Sequence, residues 1–262
     1  MRNLEVIKAF SHSVKSVRDH FPFAFHVSWP WMLAILPINL FGNVYVLLNQ
    51  PAGPKEIKPE IVIISILIGL CSAIAFSSIA VSWHRYILLG DVPQGWARLR
   101  IDNVVWRYFG NTILMALIGA AAGIGAAIIA GLLVMIFHGF AAIILIPAGI
   151  AFFFAAISYG FRLGIKLPSI AIGRKDYRFG DALRDGQGNF WQFVGLAFLI
   201  FLTALIAGLI VAGIVYLIAQ TGSQPLLFVS IAVQLFLNWL GTIWNVTILT
   251  SLYGFFAEKR DF

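Results

Sequence analysis

The sequence predicts an all-α polytopic membrane protein with six transmembrane helices, arranged as three helical hairpins, each preceded by a cytoplasmic amphipathic segment. Three observations lead to this prediction. The 262 residues are 60% hydrophobic and only 11% charged, whereas soluble domains carry about 25% charged residues. Long apolar stretches recur along the chain, and about 20 apolar residues cross the hydrocarbon core of a bilayer. Between these stretches lie short segments rich in Arg and Lys.

The first part of the chain, residues 1–21, is predicted to be a cytoplasmic amphipathic arm, and residues 22–262 a single six-helix transmembrane domain. Apolar residues recur in the arm at helical spacing, with basic residues between them. The apolar set is Leu4, Ile7, Phe10, Val14 and Val17. Such a pattern is typical of a helix that lies on lipid headgroups.

The six predicted spans have no Asp, Glu, Lys or Arg in their interiors. They cover residues 22–48, 61–83, 110–137, 140–161, 193–219 and 226–256. Only a Phe-His-Gly-Phe sequence at 137–140 separates the third span from the fourth. We place a tight turn there because the combined apolar stretch is too long for one crossing.

The distribution of basic residues predicts the orientation. All of the 18 Lys and Arg residues except Lys55 and Lys58 fall in the arm, in the connectors 84–109 and 162–192, or in the C-terminal tail. Basic residues concentrate on the cytoplasmic side of membrane proteins. We therefore expect both termini to be cytoplasmic, in a multi-pass protein of the bacterial inner membrane.

Two joints between spans share one plan. In each, an aromatic residue and an arginine end a span, at Trp83 with Arg85 and at Phe161 with Arg162. A glycine turn and an amphipathic segment follow, and a tryptophan opens the next span. Parallel repeats of two spans per unit would produce this plan. Convergence on the same residue types at the membrane interface would produce it too.

Basic and aromatic residues at these joints are the candidate lipid-binding site. They are Arg85, Arg162, Lys166, Trp106 and Trp191. Tryptophan prefers the headgroup level of a bilayer, and the guanidinium fork of arginine suits a phosphate. We therefore expect Arg85 and Arg162 to bind anionic lipid. The alternative is that they only extend to the interface and fix the orientation of the chain.

A candidate polar cluster joins the first and last spans. It consists of Asn39, Asn43, Gln234 and Asn238, which the predicted topology places at a shared depth. Buried amides need hydrogen-bond partners. The cluster is expected either to hold two helices together or to line a path for a polar solute.

The third span has a small residue at every fourth position, at Gly119, Gly123, Ala127 and Gly131. Small residues let two helix backbones approach closely. We expect this face to pack against another helix of the bundle, or against a second copy or another membrane subunit.

No sequence motif for catalysis, for a metal or for a cofactor was found. The five histidines are scattered, and no pair at i and i+4 stands beside a carboxylate as in a zinc site. The net charge is +7, and the basic residues that produce it lie in segments that we expect at the membrane surface. We therefore expect no enzyme activity, no cofactor, no metal and no nucleic-acid partner.

The joints resemble those of the YciC-like bacterial inner-membrane proteins and of the membrane domain attached to some glycerophosphodiester phosphodiesterases. The shared residues are Trp83-His84-Arg85 with Gly90-Asp91, and Arg162 followed by Leu167-Pro168, Ile172-Gly173-Arg174 and Trp191. The resemblance implies a six-helix inner-membrane fold. It gives no reason to expect catalysis, because these residues contain no phosphodiesterase domain.

These features predict a non-enzymatic membrane protein that organises or senses the inner membrane, or that serves as a subunit of a membrane complex. Its basic cytoplasmic face would contact the headgroups of anionic lipids. The alternative is a small-solute or lipid permease that uses the polar stripe between the first and last helices. The lack of ionisable residues inside the spans weighs against this alternative.

The predicted topology can be tested with single cysteines in a chain in which Cys71 has been replaced by Ser. A cysteine at Ala52 should react with an impermeant thiol reagent outside the cell, and a cysteine at Lys175 should not. The reverse labelling pattern would contradict the orientation drawn from the basic residues.

Overall fold

A computed structural model of the chain describes residues 2–49, 58–92, 95, 99–220 and 224–262. All regular structure in these ranges is helical. The α-helices are α1 (Val6–Asp19), α2 (Phe21–Asn49), α3 (Pro59–Leu89), α4 (Asn103–Phe137), α5 (Ala141–Gly164), α6 (Lys166–Ala171), α7 (Phe179–Asp185), α8 (Phe190–Gln220) and α9 (Gln224–Phe256).

Five stretches of the described chain are long and apolar enough to cross a membrane. They are Phe21–Gly42, Pro59–Leu89, Asn103–Ala171, Phe190–Ile218 and Val233–Phe256. The third stretch has 69 residues because α4, α5 and α6 follow one another almost without a break. The all-helical prediction is therefore confirmed.

The long third stretch contains a turn at the position that the sequence predicts. Helix α4 ends at Phe137, and His138–Phe140 form a single 3-10 turn before α5. His138 has a positive φ of 47°, a conformation that costs energy for a residue with a Cβ atom. Helices α4 and α5 then pack against each other.

The long helices pack in chain order. Helix α2 lies against α3, α4 against α5, and α8 against α9. Helix α3 also contacts α4 and α9, and α5 contacts α8. The arrangement of six spans as three hairpins stays a prediction.

The buried side chains concentrate at the end of the bundle that holds both termini. We call this end the polar layer and define it by described residues 2–20, 84–92, 99–108, 161–189 and 256–262. One apolar cluster joins α1, α2, α3, α4, α6 and α9, and a second joins α1 to α7, α8 and α9. The polar layer is therefore a packed unit whose apolar core continues into the long helices.

The N-terminal arm belongs to this unit. Helix α1 packs on α8 and α9, and its Ser13 hydroxyl accepts a hydrogen bond of 2.9 Å from the Trp244 indole. Leu4 and Val17 are buried as an apolar face should be, but Ile7 is 77% exposed and Val14 is also exposed. The small residues Ala9 and Ser13 lie on the packed face instead, so protein rather than lipid covers much of this helix.

Asn189 attaches the arm to the start of α8. Its carbonyl oxygen accepts from the Leu4 N–H at 2.7 Å, and its amide nitrogen donates to the Arg2 carbonyl at 2.9 Å. Gln192 adds a 2.7 Å bond to Asn3. The Leu4 N–H and the Arg2 carbonyl precede α1 and so have no partner within that helix. Asn189 supplies the hydrogen-bond partner that each of these backbone groups needs.

The short helix α6 is buried by the bundle. Five of its six residues, from Leu167 to Ala171, are buried, and α6 contacts α3, α4, α5 and α9. A positive φ of 81° at Gly173 ends the segment. Gly90 ends α3 in the same way, with a φ of 68°, so both predicted glycine turns adopt the left-handed conformation that glycine tolerates best.

A buried histidine connects three helices beside α6. The Nδ1 atom of His84 lies 2.8 Å from the Thr250 hydroxyl, and its Nε2 atom lies 3.2 Å from the Tyr108 hydroxyl. Thr250 already donates its proton to the Val246 carbonyl at 2.9 Å. The network therefore assigns the Nδ1–H donor to His84, with Tyr108 donating to Nε2.

Replacing Tyr108 by Phe should destabilise the protein by about 1–3 kcal/mol, because the Nε2 acceptor of the fully buried His84 loses its partner. Tyr216→Phe is the matched control, since Tyr216 is exposed. Thermal unfolding in detergent would measure both variants. Equal melting temperatures for the two would show that the buried network contributes no stability.

Candidate functional site

Arg85 contacts the chain itself in the polar layer. Its Nε donates to the Asp91 carboxylate at 2.7 Å, and its NH1 atom donates to the Ala171 carbonyl at 3.4 Å. Ala171 is the last residue of α6, and carbonyls at a helix C-terminus lack intrahelical donors. Arg85 therefore satisfies the end of α6.

Two further arginines have the same function at other helices. Arg162 donates through Nε at 3.0 Å, and through a second nitrogen, to the Leu183 carbonyl near the end of α7. Arg260 donates to the Leu88 carbonyl at the end of α3 at 3.4 Å. Positive charge at a helix C-terminus also opposes the negative end of the helix dipole.

Lys166 and the connector after α6 form another set of internal contacts. The Lys166 ammonium donates to the Tyr177 carbonyl and lies 5.7 Å from the centre of the Phe179 ring. The Tyr177 hydroxyl donates to Asp185 at 3.0 Å. Burial, together with the negative charge of Asp185, raises the pKa of Tyr177. The connector is thus held in place on both sides of its turn.

These bonds bear on the lipid-binding prediction. They give Arg85, Arg162 and Lys166 a function within the fold, which the sequence did not indicate. Trp106 and Trp191 are 47% and 67% exposed, as residues that contact lipid must be. Contact between this set and lipid phosphate stays a prediction.

A cationic patch lies next to Trp106. Lys166 lies close enough to Arg107 and Arg178 for their positive charges to act on it, and Asp176 and Asp181 act in the opposite direction. Both arginine side chains are exposed. Neither forms an ion pair with any residue that the structure describes.

Most other basic residues of the polar layer are neutralised by a neighbouring carboxylate. The paired residues are Arg2, Lys8, Arg18, Arg85, Arg100, Arg174, Arg184 and Arg260. Less positive charge is therefore left for an external anion than the sequence implied. We call Arg107, Lys166 and Arg178, with Trp106, the cationic patch.

The structure describes the side chains of three of the four residues in the predicted amide cluster. Asn39 donates to the Ile35 carbonyl at 3.2 Å and to the Ser72 hydroxyl of α3 at 3.4 Å. Gln234 and Asn238 are exposed on α9. The side chain of Asn43 lies outside the described part of the structure. The cluster as a whole stays a prediction.

Asn39 lies in a cleft between α2, α3 and α9. The cleft has a volume of about 1160 Å³. Its walls include Trp29, Trp31, Phe76, Leu235 and Trp239. Its polar groups are few, and none of the described residues that line it is an Asp, Glu, Lys or Arg. The first and last long helices therefore face one apolar space, although Gln234 and Asn238 do not line it.

The small-residue face of α4 is not covered by the described chain. A Cβ atom built at Gly119, Gly123 or Gly131 would meet nothing within 4 Å. The expectation that another helix of the bundle packs on this face is wrong for the described residues. Binding of a second copy or another subunit there stays a prediction.

A small pocket between α1 and the C-terminal tail was not foreseen. It has a volume of about 320 Å³, and Lys15, Asp19 and Arg260 are among its lining residues. The Nδ1 atom of His12 lies 3.0 Å from the Ser251 hydroxyl at its edge. Burial, with the charge of Lys15, lowers the pKa of His12.

None of these regions gathers metal ligands. Within the described residues no group of three or more His, Cys, Asp or Glu side chains could hold a metal ion. No family model, curated protein or solved structure matches this chain. The resemblance to the YciC-like proteins therefore stays a prediction, and the function must be argued from the geometry.

The lowered pKa of His12 predicts a pH dependence of stability. The unfolded chain binds the proton more tightly, with a pKa near 6.5, so stability should fall as the pH drops below that value. Melting temperatures at pH 7.5 and 5.5 would measure the loss, which His12→Gln should reduce. The control, His138→Gln, should retain the full loss. An unchanged slope in the His12 variant would contradict this assignment.

Proposed function

We propose that this chain is a non-enzymatic, six-span protein of the bacterial inner membrane, with both termini cytoplasmic, that contacts anionic lipid through its basic face. By this contact it would organise or sense the membrane, or hold its place in a larger membrane complex. The cationic patch is the observation that carries the proposal.

The turn at His138 supports six crossings. A single helix over the 69-residue stretch Asn103–Ala171 would be about 100 Å long, whereas a bilayer core is about 30 Å thick. Because α4 packs on α5 and α6 returns to α4, two crossings account for this length. The other four stretches would supply one crossing each.

The patch has the composition of an anionic headgroup site. Arg107 and Arg178 are exposed and form no ion pair with a described carboxylate, and the positive charges of both act on the half-buried Lys166. The positive charges of these residues repel one another, and a bound anion would reduce that repulsion. Trp106 is exposed beside them, and tryptophan favours the headgroup level. Each basic group near an anionic leaflet contributes about 1 kcal/mol.

Removing one cation from the patch should weaken binding of phosphatidylglycerol about fivefold relative to phosphatidylcholine. The test variants are Arg107→Gln and Arg178→Gln, measured by native mass spectrometry from nanodiscs with equal amounts of both lipids. Arg18→Gln is the control within the polar layer, since Arg18 is paired with Asp19 at 3.0 Å. Lys58→Gln is the control at the far end of α3.

The result that would contradict the proposal is an equal lipid ratio in the patch variants and the controls. Arg85→Gln and Arg162→Gln extend the test to the residues that the sequence nominated. If Arg85 and Arg162 bind lipid in addition to capping helix ends, these two variants should lower the ratio of bound phosphatidylglycerol to phosphatidylcholine. If they act only within the fold, hydrogen exchange in α6 or α7 should rise while the lipid ratio stays constant.

A permease for a small solute or a lipid is the second candidate. The cleft between α2, α3 and α9 favours it, because the cleft lies between the first and last spans as such a path would. The described walls of the cleft contain no Asp, Glu, Lys or Arg, which favours an apolar cargo over an ion.

A further inference from the structure

The pocket between α1 and the C-terminal tail brings polar side chains together in one small space. Its volume of about 320 Å³ has room for about ten water molecules. Helix α1 contributes five polar residues to its lining, namely His12, Lys15, Ser16, Asp19 and His20. The ends of α3 and α9 and the tail supply the other walls. The pocket shares no lining residue with the cationic patch, so it is a second candidate ligand site of the polar layer.

Within the described residues, Lys15 is the charged group of this pocket that has no counter-ion. Its side chain is exposed and forms no ion pair there. Two carboxylates also line the pocket, but each is paired with an arginine outside the lining. Asp19 lies 3.0 Å from Arg18, and Asp261 is paired with Arg2. The charge of Lys15 therefore stays unbalanced, and an external anion would stabilise it.

Two hydrogen-bonding groups beside Lys15 have capacity left for a ligand. The charge of Lys15 acts on His12, so the two side chains lie close together. The His12 Nδ1 atom lies 3.0 Å from the Ser251 hydroxyl, and its Nε2 atom has no partner in the described chain. When Ser251 donates to Nδ1, Nε2 carries the proton and can donate to a ligand. The Ser16 hydroxyl, next to Lys15 in the sequence, is also unbonded within the described ranges.

Arg260 supplies a second cation from the tail. One terminal nitrogen of its guanidinium contacts Glu258 at 2.7 Å and the Leu88 carbonyl at 3.4 Å. Its other side-chain nitrogens have no acceptor in the part of the chain that the structure describes. Arg2 donates to the Arg260 carbonyl at 3.0 Å. The chain therefore positions this guanidinium before a ligand binds, which lowers the entropic cost of binding.

We propose that this pocket binds a phosphate group, carried by a small soluble molecule or by a lipid headgroup, through Lys15, Ser16, His12 and Arg260. Phosphate oxygens accept strong charge-assisted hydrogen bonds from lysine and arginine. They point in tetrahedral directions, so donors on α1 and on the tail can reach different oxygens. A metal ion fits poorly, because no group of three His, Cys, Asp or Glu side chains is found among the described residues.

Lys15 can be neutralised with little risk to the fold, because its side chain is exposed. Inorganic phosphate, added in detergent at constant ionic strength, should raise the melting temperature, since a ligand of the folded state stabilises it. Lys15→Gln should raise the apparent dissociation constant about tenfold, the effect of one hydrogen bond to a charged group. Lys8→Gln is the matched control, because Lys8 is paired with Glu5 at 2.9 Å on the same helix but outside the pocket.

A second pair of variants tests the hydroxyl. Ser16→Ala should raise the apparent dissociation constant for phosphate about 2- to 10-fold, the effect of one net hydrogen bond. Ser11→Ala should leave it unchanged, because Ser11 is exposed on α1 and does not line the pocket. Equal constants for these two variants would remove Ser16 from the proposed site.

Nanodiscs that contain phosphatidylglycerol distinguish the two sources of the phosphate group. If a lipid headgroup supplies it, Lys15→Gln should lower the phosphatidylglycerol retained in native mass spectrometry about tenfold relative to Lys8→Gln. If a soluble molecule supplies it, only the constant for inorganic phosphate should differ between these variants. Equal behaviour of the two variants in both measurements would overturn the site.

The pocket and the cationic patch are tested separately. Arg107→Gln should leave the stabilisation by inorganic phosphate unchanged, because Arg107 does not line the pocket. If Arg107→Gln removed this stabilisation and Lys15→Gln did not, phosphate would bind at the patch and the pocket would be excluded. The function proposed for the patch depends on the Arg107 and Arg178 variants, whatever the result at Lys15.

Discussion

The burial of α6 is the constraint on which the polar layer depends. A six-residue helix inside a bundle must have all its terminal carbonyls satisfied, since water does not reach them. The Pro168, Ser169 and Ile170 carbonyls accept from backbone N–H groups of the turn at Gly173. The fourth, at Ala171, accepts from Arg85. The glycine turn and the arginine thus permit α6 to lie among α3, α4 and α9 without unpaired backbone groups.

Packing is dense at the polar layer and sparse towards the opposite end. Helices α4 and α5 expose large apolar side chains such as Ile128, Met135 and Phe153. Lipid solvates such side chains as well as another helix would, so little drives long helices together within a bilayer. At the layer, water is excluded and apolar burial is favourable. This difference explains why α1, α6 and α7 are the elements that join the long helices, and why a cleft can remain between α2 and α9.

Local patterns in the sequence predicted much of the fold. The six long helices follow from hydropathy, and the turns at Gly90, Gly173 and His138 from residue type. The burial of α6 could not be predicted, because six residues are too few to show a helical period. The pairing of Asn189 with backbone far away in sequence, and the pocket between α1 and the C-terminal tail, depend on tertiary contacts. The candidate arginines were recognised as interface residues, but their carbonyl partners lie on other helices.

Hydrogen exchange of α6 in lipid nanodiscs tests the central claim most directly. The amides between Lys166 and Ala171 should exchange as slowly as those in the buried part of α3 around Val81, because both are buried in the same cluster. The exposed turn at Lys175 is the internal reference for fast exchange. Exchange in α6 as fast as at Lys175 would contradict the account, since α6 would then lie on the surface and could not organise the polar layer.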